Sequence, residues 1–145
     1  MSFLRSIRTT AAPASTVLIR ALVGGVFLSE GIQKFLFPNE IGAGRFAKIG
    51  LPAPEFLASL VGVFEIVGGA LVLLGFFTRL AVIPLIVVMT VAIFATKVPI
   101  LLESGFWKMA HESRTDFSML LGSIFLLLNG AGQWSLDASL NRDES

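Results

Sequence analysis

Glu65-Ile66-Val67-Gly68-Gly69-Ala70-Leu71-Val72-Leu73-Leu74-Gly75-Phe76-Phe77-Thr78-Arg79 decides the fold. A single carboxylate stands in an apolar run, a glycine pair follows it, and a short Gly-Phe-Phe-Thr-Arg break separates it from the next apolar run. Traced outward, the first run reaches from Glu55 to Phe77 and the second from Arg79 to Val98. About twenty residues at ~1.5 Å rise each cover ~30 Å, the thickness of a hydrocarbon core. Backbone polar groups in lipid must be satisfied within their own segment, so such runs are predicted to be helices. A break this short makes the two helices adjacent and antiparallel.

The composition agrees. Hydrophobic residues are 54% and charged residues 14% of the 145, against roughly 25% charged in a soluble domain, and mean hydropathy is +0.83. So few charges cannot cover a 15.5 kDa globule, which excludes a soluble enzyme. Eleven Lys and Arg against ten Asp and Glu leave no basic excess to release counterions from a nucleic acid. The absence of cysteine and a single histidine remove disulfides, thiol nucleophiles and Cys-ligated clusters, and argue against a metal site or covalently held cofactor on this chain alone.

Two further apolar runs, from about Thr16 to Phe37 and from Asp116 to Trp134, complete an expected all-α, antiparallel four-helix membrane bundle, with spans at about 16–37, 55–77, 79–98 and 116–134. Residues 1–15 are read as an N-terminal tail, 16–137 as one transmembrane domain and 138–145 as a polar C-terminal tail. Pro84 falls inside the third span, where a membrane helix tolerates it. The connections Pro38–Pro54 and Pro99–Thr115 lie on one side and carry Phe46, Leu51, Ile100, Leu101, Phe106 and Trp107, so they are expected to lie in the interface as caps. Neither a cleavable leader nor an internal repeat is legible. Lys and Arg divide evenly between the two sides. The leading tail, with Arg5, Arg8 and no acid, tips the orientation towards cytoplasmic termini in a prokaryotic plasma membrane.

Ionisable side chains inside hydrocarbon cost ~2.5–3.5 kcal/mol at the bilayer centre and mark functional candidates. Arg20, Gly24, Phe27, Gly31 and Lys34 follow a 4, 3, 4, 3 spacing that keeps them on one face of the first helix. Glu30 extends that face and stands four residues before Lys34, the better orientation for a local ion pair. In the second helix Glu65 shares a face with Gly62, Gly68, Gly69 and Gly75; small residues let membrane helices approach, so this face with Gly24 and Gly31 is expected to be the packing surface. Glu30, Lys34 and Glu65 lie ~10, ~5 and ~14 Å in from the loop side. Glu65, Lys34, Glu30 and Arg20 form the candidate intramembrane ligand or proton site, with Lys97, His111, Arg114 and Asp116 as its rim. Bland roles compete: Lys97 and Arg20 can snorkel to headgroups, Glu30–Lys34 can be a structural pair, and Trp107 and Trp134 fit an interfacial belt.

Three motifs carry a family resemblance: Arg20-x3-Gly24-x2-Phe27-x3-Gly31-x2-Lys34; Glu65-x2-Gly68-Gly69-x-Leu71-x3-Gly75-x2-Thr78-Arg79-x-Ala81; and Gly130-x-Gly132-x-Trp134-Ser135-Leu136-Asp137. From Arg20 to Asp137 the chain resembles the DoxX family of small four-helix prokaryotic membrane proteins. Glu30 stands outside the pattern. The resemblance implies fold and location and transfers no catalytic residue; relatives include a subunit of a thiosulfate:quinone oxidoreductase and proteins linked to membrane redox or oxidative-stress complexes. Three functions follow as expectations. The first is a quinone-linked redox subunit in which the buried carboxylate exchanges a proton with a quinone oxygen and electrons come from a partner subunit. The second is an accessory or assembly subunit without chemistry of its own. The third is a small-solute or proton pathway, for which four helices would need to form a homo-oligomer.

Overall fold

The computed structural model describes residues 3–143. Among them are eight helices and no strand: α1 (Phe3–Arg8), α2 (Thr16–Leu36), α3 (Ala43–Lys48), α4 (Pro54–Leu74), α5 (Thr78–Ser104), α6 (Phe106–Glu112), α7 (Arg114–Asn129) and α8 (Leu136–Asp143). Three of them, α2, α4 and α5, are long and apolar enough to cross a membrane. α2 packs on α4, α4 on α5, α5 on α7 and α7 on α2. Residue pairing makes the neighbours antiparallel: Gly24 meets Gly69 and Gly31 meets Gly62 across α2 and α4, while Lys97 meets Asp116 across α5 and α7.

Two expected boundaries move. The third span does not stop at Val98: α5 continues through Pro99 to Ser104 and ends at Gly105. Pro99, like Pro84, removes one rung of the hydrogen-bond ladder without ending the helix, because lipid offers the remaining groups nothing better than their helical partners. The fourth run starts two residues earlier than its hydropathy, at Arg114, and is cut at its C-terminal end. α7 has 16 residues, ~24 Å of helix, and stops at Asn129 because Gly130 takes φ +81°, a positive φ that glycine adopts without steric cost and that breaks the helix. Ala131 to Ser135 form an irregular segment rather than a last turn.

The connections contain short helices. α3 lies against α4, and α6 packs on α5 and α7. The flanking stretches are also built in: α1 contacts α5 and α8, Arg8 is buried, and α8 occupies most of the expected C-terminal tail with Asp137 buried at its start.

The fully buried core is Val23, Phe27, Val72, Val82, Leu85 and Leu126, with Met119 beside it. Most of it lies in the half nearer the α4–α5 hairpin. The half nearer α3 and α6 is packed less tightly and holds a cavity.

Candidate functional site

The glycine face makes the site possible. A Cβ on Gly69 would lie 2.6 Å from the Leu28 backbone nitrogen, and one on Gly24 would lie 2.8 Å from the Gly69 carbonyl oxygen. Gly31 would meet the Gly62 carbonyl at 2.8 Å and the Glu65 Cβ at 2.9 Å. Only residues without a side chain allow α2 and α4 to come this close. The close approach carries Lys34 across to Glu65: their Nζ and Oε2 are 2.7 Å apart, with side chains 9% and 3% exposed. The expected local pair with Glu30 is therefore replaced by a pair between helices. Glu30 is exposed and lies in the same region.

These three side chains line a cavity of about 670 Å³ between α2, α4 and α5, within the range of small-molecule sites. Its walls are mainly apolar and include Phe27, Leu60, Phe64, Val88 and Met89. Polar groups converge at a few points: Glu30, Lys34 and Glu65 on one side, Asp116 and Thr115 at the start of α7, Thr96 on α5, and Arg45 on α3 above. A second cavity of about 450 Å³ shares Arg45, Ile49 and Thr96 with the first and adds Glu40 and Lys48.

The expected rim divides. Asp116 lines the cavity and pairs with Lys97 at 3.1 Å, Lys97 being 9% exposed. The first turn of α7 is a favourable place for this carboxylate, because the helix dipole attracts negative charge there. His111 and Arg114 are exposed, bond to each other through the Arg114 guanidinium and the His111 carbonyl, and do not line the cavity. Beside them, Lys108 pairs with Glu112 at 3.4 Å, and that hydrogen bond holds the Glu112 carboxyl below its ordinary range.

Arg20 is elsewhere. Fourteen residues of helix separate it from Lys34, ~21 Å of rise, so it shares the stripe but not the depth. It is 4% exposed and donates Nε to the Val72 carbonyl at 3.0 Å, Nη2 to Leu73 at 2.8 Å, and Nη1 to Ala131 at 3.2 Å and to Trp134. The last carbonyls of a helix lack intrahelical partners; Arg20 supplies them for α4 and ties in the segment after α7. Beside it Gly75 takes φ +67°, and a Cβ there would lie 2.9 Å from the guanidinium carbon.

Asp137, which residue reasoning placed in no site, completes this end. Its carboxylate accepts the Phe77 N–H at 2.8 Å and the Thr78 N–H at 3.1 Å, and its own N–H donates to the Gly75 carbonyl at 2.9 Å. It thus caps α5 and holds Phe77 at φ +48°, an uncommon conformation for a bulky residue. Burial pushes its carboxyl above the ordinary 3.8, against the pull of these backbone donors and of Arg8. The signal for it was its place in the third motif. Arg45 was also missed, and its signal was a cation next to the apolar Phe46 of a capping segment.

Among the described residues no group of three or more His, Asp or Glu is placed to hold a metal ion. The DoxX family profile matches residues 15–98. The chain is 56% identical over 136 residues to an uncharacterized membrane protein, Rv3486, of Mycobacterium tuberculosis, covering 90% of this chain and 83% of the relative. It is 32% identical over 122 residues to the Bacillus subtilis protein named "Putative oxidoreductase CatD", covering 84% of each. An uncharacterized protein of Haemophilus influenzae is 33% identical over 128 residues, 86% of this chain and 90% of the relative. No solved structure matches. By profile and by these relatives, the chain belongs to the DoxX family of membrane proteins.

Proposed function

We propose that the protein is a quinone-linked subunit of a membrane redox complex in a prokaryotic plasma membrane. In this reading α2, α4, α5 and α7 form an antiparallel four-helix membrane bundle with both termini cytoplasmic. α7 is short for the bilayer, a mismatch that local thinning accommodates at a fraction of a kcal/mol per ångström. The observation that carries the reading is the Lys34–Glu65 pair at the wall of an apolar cavity. A quinone has an apolar body and two carbonyl oxygens. Lys34 keeps N–H groups beyond the one facing Glu65, and these suit a carbonyl or anionic oxygen. Glu65 is positioned to hold or deliver a proton at that oxygen. Electrons come from a partner subunit, since the chain has no cysteine and one histidine. The name of the Bacillus subtilis relative supports redox chemistry in the family.

A second reading, an accessory subunit without chemistry, is favoured by one observation. Arg20, Gly75 and Asp137, drawn from all three motifs, serve to lock helix ends together. Solvent extraction of protein purified from native membranes separates the two. The redox reading expects quinone near one per chain; its absence from repeated preparations supports the accessory reading.

A further inference from the structure

α4 and α5 leave their hairpin in close contact, with Gly68 against Leu85, where an added Cβ would lie 3.2 Å from the leucine side chain. Beyond that level they part. Leu60 and Phe64 on α4 and Val87 and Val91 on α5 line the cavity, yet they are 40%, 42%, 57% and 48% exposed, where the walls of a closed cavity would be buried. Side chains can do both only around a mouth. From the Gly68–Leu85 contact, three residues along each helix bring Glu65 level with Val88, and both line the cavity. The opening therefore stands at the depth of the ion pair. Pro84, where one rung of the α5 ladder is missing, lies at the point of divergence.

In a chain that spans the membrane, a mouth between two spanning helices opens on hydrocarbon rather than on water. We infer that the cavity is filled sideways from the bilayer, through the gap between α4 and α5, by an amphiphile whose polar head meets Lys34 and Glu65 and whose long apolar tail leaves between Leu60, Phe64, Val87 and Val91. The identification of the head as a quinone rests on the function proposed above; the route does not. The chemistry fits at both ends. The rim is wholly hydrocarbon, so it discriminates against water-soluble ligands, and the charged pair lies a short distance inside. A ligand of this kind reaches the site by lateral diffusion and does not cross the capping helices.

The test reconstitutes the full chain in phosphatidylethanolamine–phosphatidylglycerol nanodiscs containing a long-tailed prenylated naphthoquinone. After transfer to detergent, quinone and acyl lipid retained per folded chain are measured by solvent extraction. Leu60→Trp combined with Val91→Trp narrows the mouth. Both native side chains are exposed, so the fold is expected to survive, and an unchanged melting temperature checks this. Ile83→Trp, exposed on α5 but outside the cavity lining, is the control. The expected result is quinone retention by the wild type and by Ile83→Trp, and about tenfold less by the double variant. Equal retention by the double variant overturns the lateral route and leaves the quinone reading standing. Retention of acyl lipid instead of quinone, lost in the double variant, supports the route and overturns the quinone reading. Retention of neither by the wild type overturns both.

Discussion

The two ends of the helix assembly bury charge in opposite ways. At the hairpin end, Arg20 donates to four main-chain carbonyls and Asp137 accepts two main-chain N–H groups. Both are packed against glycine and irregular backbone. At the loop end, Lys34 and Glu65 face each other at the wall of a cavity of about 670 Å³, with Glu30, Asp116 and Arg45 around it. Burying a charge costs free energy at both ends unless it is paired or hydrogen-bonded, so its presence does not separate a lock from a site. What separates them is capacity left over. The hairpin end uses its donors on backbone, while the loop end keeps donors and acceptors beside an open volume.

The sharpest way to break this contrast is to remove the lock. Arg20→Leu removes the charged donor from the Leu73, Ala131 and Trp134 carbonyls and leaves Val72 with only the Gly75 N–H. Hydrogen bonds to charged groups contribute ~1.5–3 kcal/mol each and are not additive, so the loss is expected to be at least about 3–5 kcal/mol. Arg20→Lys, a single point charge, restores only part. Melting temperature in detergent measures both, and quinone retained per folded chain should stay near wild type. A stable Arg20→Leu protein that has lost its ligand would place Arg20 in the site.

Next in size is the helix contact on which the site depends. Gly69→Leu forces a side chain into a space where even Cβ lies 2.6 Å from backbone, so it should reach or exceed the upper end of the ~1–3 kcal/mol of overpacking. Leu73→Ala, at a half-buried position, should cost about 1–2 kcal/mol, below the ~2–5 of a fully buried leucine. The opposite ranking in thermal melts would contradict the packing face.

A smaller effect is expected at Asp137. Asp137→Asn orphans one of two N–H groups but relieves a desolvated charge, so near neutral pH the two offset to about 1 kcal/mol or less. The pH dependence is more telling. Burial raises this carboxyl in the fold above its ordinary 3.8, so the folded chain binds a proton that the unfolded chain releases. The associated stability is fully present below that ordinary value and is lost as pH rises through the raised folded one. Arg8 and Arg20 are the charges acting on the group. The difference between wild-type and Asp137→Asn melting temperatures should therefore shift against the wild type as pH rises from about 3.5 to 7; a flat difference would remove Asp137 from the lock.

Much of the framework was legible because hydrophobic periodicity and turn length act locally. The Gly75–Arg79 break forces an antiparallel hairpin, and the Gly62/Glu65/Gly69 spacing marks a face that must be covered. The partner of Lys34 was not legible in the same way. A local i,i+4 rule offers Glu30 and ~0.2–0.5 kcal/mol, whereas the glycine contact between α2 and α4 brings Glu65 within 2.7 Å. Arg20 was grouped with Lys34 because a helical stripe reports direction and says little about depth. The length of α7 was overread because hydropathy continues past Asn129, while the backbone at Gly130 turns away. Asp137 acts across the fold on residues about sixty positions earlier, a contact that no local pattern encodes.

Glu65→Gln tests the proton-carrying role most directly, with quinone retained per folded chain and melting temperature measured on the same preparation. The amide keeps the shape and an acceptor for Lys34, so the stability loss should fall in the ~1–3 kcal/mol range of a weakened buried bond, well short of Arg20→Leu. It cannot carry a proton, so ligand retention or coupled electron transfer in membranes should fall by about tenfold or more, the scale of a lost general acid–base group. A Glu65→Gln protein with normal retention and normal electron transfer would contradict the central claim and make Lys34–Glu65 a second lock.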